Sequence, residues 1–117
     1  MVIQKFEDII AWQKAQDLGV EIFIAFGDLK HFGFRDQICN AVVSISNNIA
    51  EGFDRSSDAD FSRFLYIASG SASEVKSMLY LAGRIGFINK DTRLKLIGQA
   101  DEVSKIIRGL IKSIAKK

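Results

Sequence analysis

Four stretches of the chain repeat apolar residues at alternating steps of three and four, and no proline interrupts any of the 117 residues. A helix brings residues three and four apart onto one face, whereas an internal proline removes a backbone hydrogen bond and breaks or kinks the helix. The lines run Trp12, Ala15, Gly19, Ile22, Phe26, Leu29; then Ile38, Val42, Ile45, Ile49; then Phe61, Leu65, Ala68, Ala72, Val75, Leu79, Ala82; and last Leu96, Ala100, Val103, Ile107, Leu110, Ile114. Each is the seam of a helix packing nearly parallel to its neighbours. Short connections make consecutive helices antiparallel, so the expected fold is all-α: an up-down-up-down four-helix bundle forming one domain over residues 1–117.

Local signals set the expected ends. Asp8 can cap a first helix that runs to about Asp28, and the second runs from Phe34 or Arg35 to Gly52, read as a glycine stop. Ser57 and Asp60 have the spacing of a variant capping box before a third helix from Asp58 to about Ile85, which Gly86 ends. Asn89 or Asp91 caps a fourth that starts near Thr92. In the third helix, Gly70 lowers helix propensity by about 1 kcal/mol relative to alanine, which suits a neighbour that needs its space.

The apolar residues outnumber what four seams require. Val20, Phe23, Ile24 and Ala25 widen the arc of the first helix, and Phe64, Ile67, Met78, Leu81 and Ile85 form a second line on the third. Excess apolar surface of this kind marks association, so a homo-oligomer is expected.

Polar residues form a second pattern. Ser44, Asn48, Glu51 and Arg55 stack on the second helix, and Arg63, Ser71 and Glu74 can face them from the third. Acid–base chemistry needs a pocket, a nucleophile or a metal alongside such carboxylates. The plainer reading is a structural network of Ser44, Asn48, Glu51, Arg63, Ser71 and Glu74, whose charges answer one another and fix helix register.

Ligand inventory excludes several chemistries. A carboxylate-bridged di-iron site in a bundle takes two Glu-x-x-His motifs, and His31 is the only histidine. Cys39 is the only cysteine, which removes zinc clusters and an internal disulfide. The glycines form no phosphate loop. No catalytic residue, metal or cofactor is assigned. The early charges at Lys5, Glu7 and Asp8 do not suit a signal peptide, no window has the length of a membrane span, and the expected location is cytoplasmic.

Formal net charge is +2, unevenly distributed: residues 90–117 hold eight Lys or Arg against three Asp or Glu, and residues 1–89 hold eight against eleven. The last helix concentrates the excess on one stripe, Lys105, Arg108, Lys112 and Lys116, with Lys117 at its tip. Such a stripe is either a solvated face or a phosphate-binding one.

The motifs Phe6-Glu7-Asp8, Trp12-Gln13-Lys14-Ala15, Gln37-Ile38, Ser44 with Asn48-Ile49-Ala50-Glu51-Gly52, Phe61-Ser62-Arg63-Phe64-Leu65 and Gly70-Ser71 span nearly the whole chain. Together they resemble the 23S rRNA intervening-sequence protein family of bacterial four-helix-bundle proteins. Ser46 departs from the family pattern, which usually has proline after Ser-Ile. The resemblance implies a small bundle, commonly a ring of five subunits, without established enzymatic activity. A related branch is similar to the accessory variability protein of diversity-generating retroelements, a pentameric barrel that binds nucleic acid and a reverse transcriptase. Two functions follow as expectations: a homo-oligomer that binds RNA or DNA through its last helix, or an oligomeric adaptor that recruits another protein.

Overall fold

The computed structural model describes residues 2–117 as a short 3-10 turn, Phe6–Asp8, followed by four α-helices: α1 Ile10–Phe26, α2 Phe32–Phe53, α3 Asp58–Arg84 and α4 Lys90–Ala115. Each helix packs on the next in sequence and α4 closes back on α1, while among the described residues the backbones of the two diagonal pairs do not approach closely. This is the expected all-α bundle, 45 Å along its long axis and 21 by 19 Å across.

Three helices start on the side-chain caps that their first turns need. Ser57 Oγ accepts from the Asp60 N–H at 3.1 Å and Asn89 Oδ1 from the Thr92 N–H at 2.8 Å. α2 begins earlier than expected, because His31 is its cap: the imidazole Nδ1 accepts from the Phe34 N–H at 3.3 Å. Asp8 does not cap α1. It ends the 3-10 turn, and the Gln13 side chain instead donates to the Glu7 carbonyl at 2.9 Å.

Two glycines act differently from the sequence reading. Gly52 does not stop α2, which continues to Phe53. A Cβ at Gly52 would lie 2.5 Å from Phe64 Cβ and 3.2 Å from the Phe61 ring, so its role is close approach of α3. Gly70, expected to make room for a neighbour, faces open space. Gly86 does end α3: at φ +81° it turns the chain so that the Phe87 N–H reaches the Ala82 carbonyl at 2.9 Å, closing the helix.

Seams on α2, α3 and α4 bury as their spacing predicts, apart from half-buried Phe61 and Leu110. On α1 the seam rotates: Ala11, Ala15, Leu18, Ile22 and Phe26 are buried, while Trp12 and Gly19 lie at the margin. Trp12 packs there edge-on to Phe6, ring centroids 5.4 Å apart. Ser46, where proline was the family expectation, leaves α2 unbroken; it is buried and its hydroxyl accepts from Gln16 Nε2 at 3.0 Å, tying α2 to α1.

Candidate nucleic-acid interface

The amphipathic spacing that buries Leu96, Ala100, Val103 and Ile107 turns the opposite side of α4 to solvent. Lys105, Arg108, Lys112 and Lys116 lie on that side and are exposed. Among the described residues no carboxylate stands within ion-pair distance of any of the four. Lys117, at the tip, differs: its Nζ is 3.7 Å from Asp58 Oδ2.

Two of the three acids of α4, those nearest the stripe, are answered from neighbouring helices. Asp101 Oδ1 receives Lys76 Nζ of α3 at 2.6 Å, and Glu102 Oε1 lies 3.7 Å from Lys14 Nζ of α1. The Asp101 carboxylate, through its hydrogen bond and its charge, raises the Lys76 ammonium above its ordinary pKa. The C-terminal half of the helix is thus left with the uncompensated charge of these cations. Part of that charge has a local role, since cations in a last turn favour the negative end of the helix dipole.

The polar residues of α2 and α3 divide. Ser44 Oγ and Ser71 Oγ are 2.9 Å apart across the helix pair, and Asn48 Nδ2 donates to the Ser44 carbonyl at 2.7 Å and to its hydroxyl at 2.9 Å. Glu74 joins through a different partner, accepting from Gln37 Nε2 at 3.2 Å. Glu51 and Arg63 are not brought together. Glu51 is exposed, with no ion pair among the described residues, and Arg63 lies over the Phe64 ring at 4.7 Å with Asp60 3.8 Å away. Arg55 covers the same ring at 5.0 Å. A guanidinium over an aromatic face gains from the ring quadrupole, so Phe64 gives both arginines a partner in place of Glu51.

The sequence reading missed the Gln16–Ser46 bond, because single polar residues facing each other across helices carry no periodic signal. Among the described residues no group of three or more His, Cys, Asp or Glu could hold a metal ion. Cys39 is buried, and burial pushes its thiol above the usual pKa. No helix among the described residues is long and apolar enough to cross a membrane.

Four of the exposed apolar residues cluster. Val20, Phe23 and Ile24 of α1 and Val43 of α2 are 59, 48, 75 and 41% exposed and edge a groove between the two helices floored by Ala15, Gly19 and Val42.

No curated protein matches this chain. Among solved structures it is similar to a protein of unknown function from the S23 ribosomal protein family of Bacteroides thetaiotaomicron, with 27% identity over 88% of this chain and 99% of that one and a TM-score of 0.84. The sequence model described as 23S rRNA-intervening sequence protein matches residues 7–109. That span takes in the Asn48–Gly52 turn of α2, the Arg63–Leu65 turn of α3 and most of α4, and the chain belongs to the 23S rRNA-intervening sequence protein family.

Proposed function

We propose that this protein is a non-enzymatic, self-associating bundle that binds nucleic acid through the outer face of α4. The observation that carries the reading is the unmatched charge of Lys105, Arg108, Lys112 and Lys116 on a helix whose nearby acids, Asp101 and Glu102, are paired with other helices. Phosphates are the anions that a row of separate cations meets without a shaped pocket, and the attraction grows with the number of charges neutralised. A closed ring, of five subunits as the family resemblance implies, would multiply the stripe.

A salt titration of binding tests this. Replacing Lys105, Arg108 and Lys112 by Gln together should weaken binding alike across unrelated sequences and lower the slope of log K against log salt by about two to three. A triple variant that binds like the parent removes the reading and leaves an oligomeric adaptor for a protein partner.

Self-association rests on the α1–α2 groove, whose exposed Phe23 and Ile24 gain by leaving water. Light scattering should give a mass above the 13.0 kDa subunit, and Phe23→Asp with Ile24→Asp should return it to one subunit. A parent mass of one subunit at micromolar concentration overturns it.

A further inference from the structure

The face of α3 beside the basic stripe carries a row that the proposed phosphate contacts do not use. Tyr66, Ser69, Ser73, Lys76 and Tyr80 follow one another at steps of three, four, three and four, so they share one line along the helix. That line runs on the α4 side, because Lys76 reaches Asp101 there. The neighbouring line, through Ile67, Ser71, Glu74 and Leu81, turns to α2, where Ser71 and Glu74 find their partners.

The two tyrosines are 63 and 49% exposed, and no aromatic partner holds either ring among the described residues. Between them the line is built of two serines and a lysine. The small Ser69 is the next member of the row after Tyr66, whereas Lys76 stands one turn before Tyr80, so Tyr66 has the clearer flank of the two. At about 1.5 Å per residue they are roughly 21 Å apart.

Helix register sets them against the cations. The Asp58–Lys117 and Lys76–Asp101 pairs fix how α3 and α4 run past each other. Interpolating between them puts Tyr66 level with Leu110, between Arg108 and Lys112 on the same helix. Tyr80 and Arg108 both lie near enough to Lys76 to act on its charge, on opposite sides of the α3–α4 boundary.

A strip with flat rings along one edge and unmatched cations along the other is the arrangement that binds unpaired bases and their phosphates together. Duplex nucleic acid keeps its base faces stacked inside, so it would engage the cations alone. We infer that the α3–α4 face binds single-stranded nucleic acid, with Tyr66 stacking on a base while Arg108 and Lys112 hold the adjoining phosphates and Tyr80 offers a second platform. This rests on the α4 reading above and deepens it.

The test compares four probes by fluorescence anisotropy at low salt: oligothymidylate, oligouridylate, an abasic strand with the same number of phosphates, and a duplex of the same length. One of the base-bearing single strands should bind more tightly than the abasic strand and the duplex. Tyr66→Ala should weaken that strand at least about fivefold, the lower end for one base–aromatic stack. It should leave the abasic strand and the salt slope unchanged, and Tyr66→Phe should bind like the parent. Should the alanine variant fail to fold, Tyr66→Trp decides instead: a larger face should tighten binding to the base-bearing strand, and unchanged affinity overturns the inference. If Tyr66→Ala binds every probe like the parent while the triple Gln variant is weakened, stacking is overturned and the α4 reading stands. Absence of binding to all four probes by the parent overturns both.

Discussion

The α2–α3 seam and the outer face of α4 are both polar stripes beside an apolar core, yet they use their polar groups in opposite ways. At the seam the groups satisfy one another: Ser44 meets Ser71, Asn48 turns back to Ser44, and Gln37 meets Glu74. On α4 the basic groups from Lys105 to Lys116 meet no acid among the described residues. The difference follows from distance between backbones. Where two helices approach closely, as at Ser44, Asn48 and Ser71, an unpaired polar group would be half-buried at a cost, so pairing is selected; on a solvated face water answers every charge and nothing within the fold forces a partner. Close approach therefore makes polar residues structural, and its absence leaves them available.

The largest effect should come from the residue that permits the approach. Gly52→Ala places a methyl group 2.5 Å from Phe64 Cβ, a clash with a carbon fixed to the α3 backbone rather than a flexible tip. Overpacking of this kind costs about 1–3 kcal/mol, and the upper part of that range applies because Phe61 closes the other side. A fall in Tm of roughly 10 °C is expected at this size of domain. An unchanged melting curve would mean that the seam is loose, and the comparison with α4 would lose its physical basis.

Much of the bundle was legible because burial is periodic: Val42, Ile45 and Ile49 on α2 and Leu65 to Ala82 on α3 lie inside where their spacing puts them. The seam of α1 was read one position off at Trp12 and Gly19. Leu18, Val20, Ile22, Phe23 and Ile24 make that helix apolar on several sides, so spacing alone cannot choose the inward one. Glycines misled in both directions, since a helix stop, a close approach and an open surface leave the same letter; only Gly86, followed by a chain reversal, was read in its actual role. Glu51 and Arg63 looked paired because opposite charges sat on facing helices. Sequence did not show that Phe64 gives the guanidinium a nearer surface. The basic stripe of α4 was legible by its spacing, whereas the tyrosine row belongs to a different helix and comes beside that stripe only through the α3–α4 register.

Within the seam, the hydroxyl pair offers a smaller and sharper test. Ser44→Ala removes the partner of Ser71 and one acceptor of Asn48, all half-buried. Destabilisation of about 1 kcal/mol is expected in urea unfolding. Ser44→Ala with Ser71→Ala should cost less than the sum of the two, because each single variant already removes the same bond. Strict additivity would show that the two hydroxyls do not act on each other. The Lys105, Arg108 and Lys112 variant belongs to the other side of the comparison: with no ion pair to lose, it should unfold within about 0.5 kcal/mol of the parent.

Glu51 makes the smallest and most discriminating case, because it continues the Ser44–Asn48 line of α2 yet is exposed and unpaired, like the cations of α4. Its carboxylate has no ion pair or side-chain hydrogen bond within the described chain to lose, so Glu51→Ala should shift unfolding by less than about 0.5 kcal/mol in the single subunit. The measurement is a urea midpoint at two protein concentrations, below and above the onset of any association seen by light scattering. No change at either concentration places Glu51 with the solvated groups and ends the seam at Asn48. A loss of stability confined to the higher concentration means that Glu51 meets a cation on another subunit, since linkage to association is the term that depends on concentration. A loss of 1 kcal/mol or more at the lower concentration would contradict the geometry and return Glu51 to the α2–α3 network with Arg63 or Arg55 as its partner.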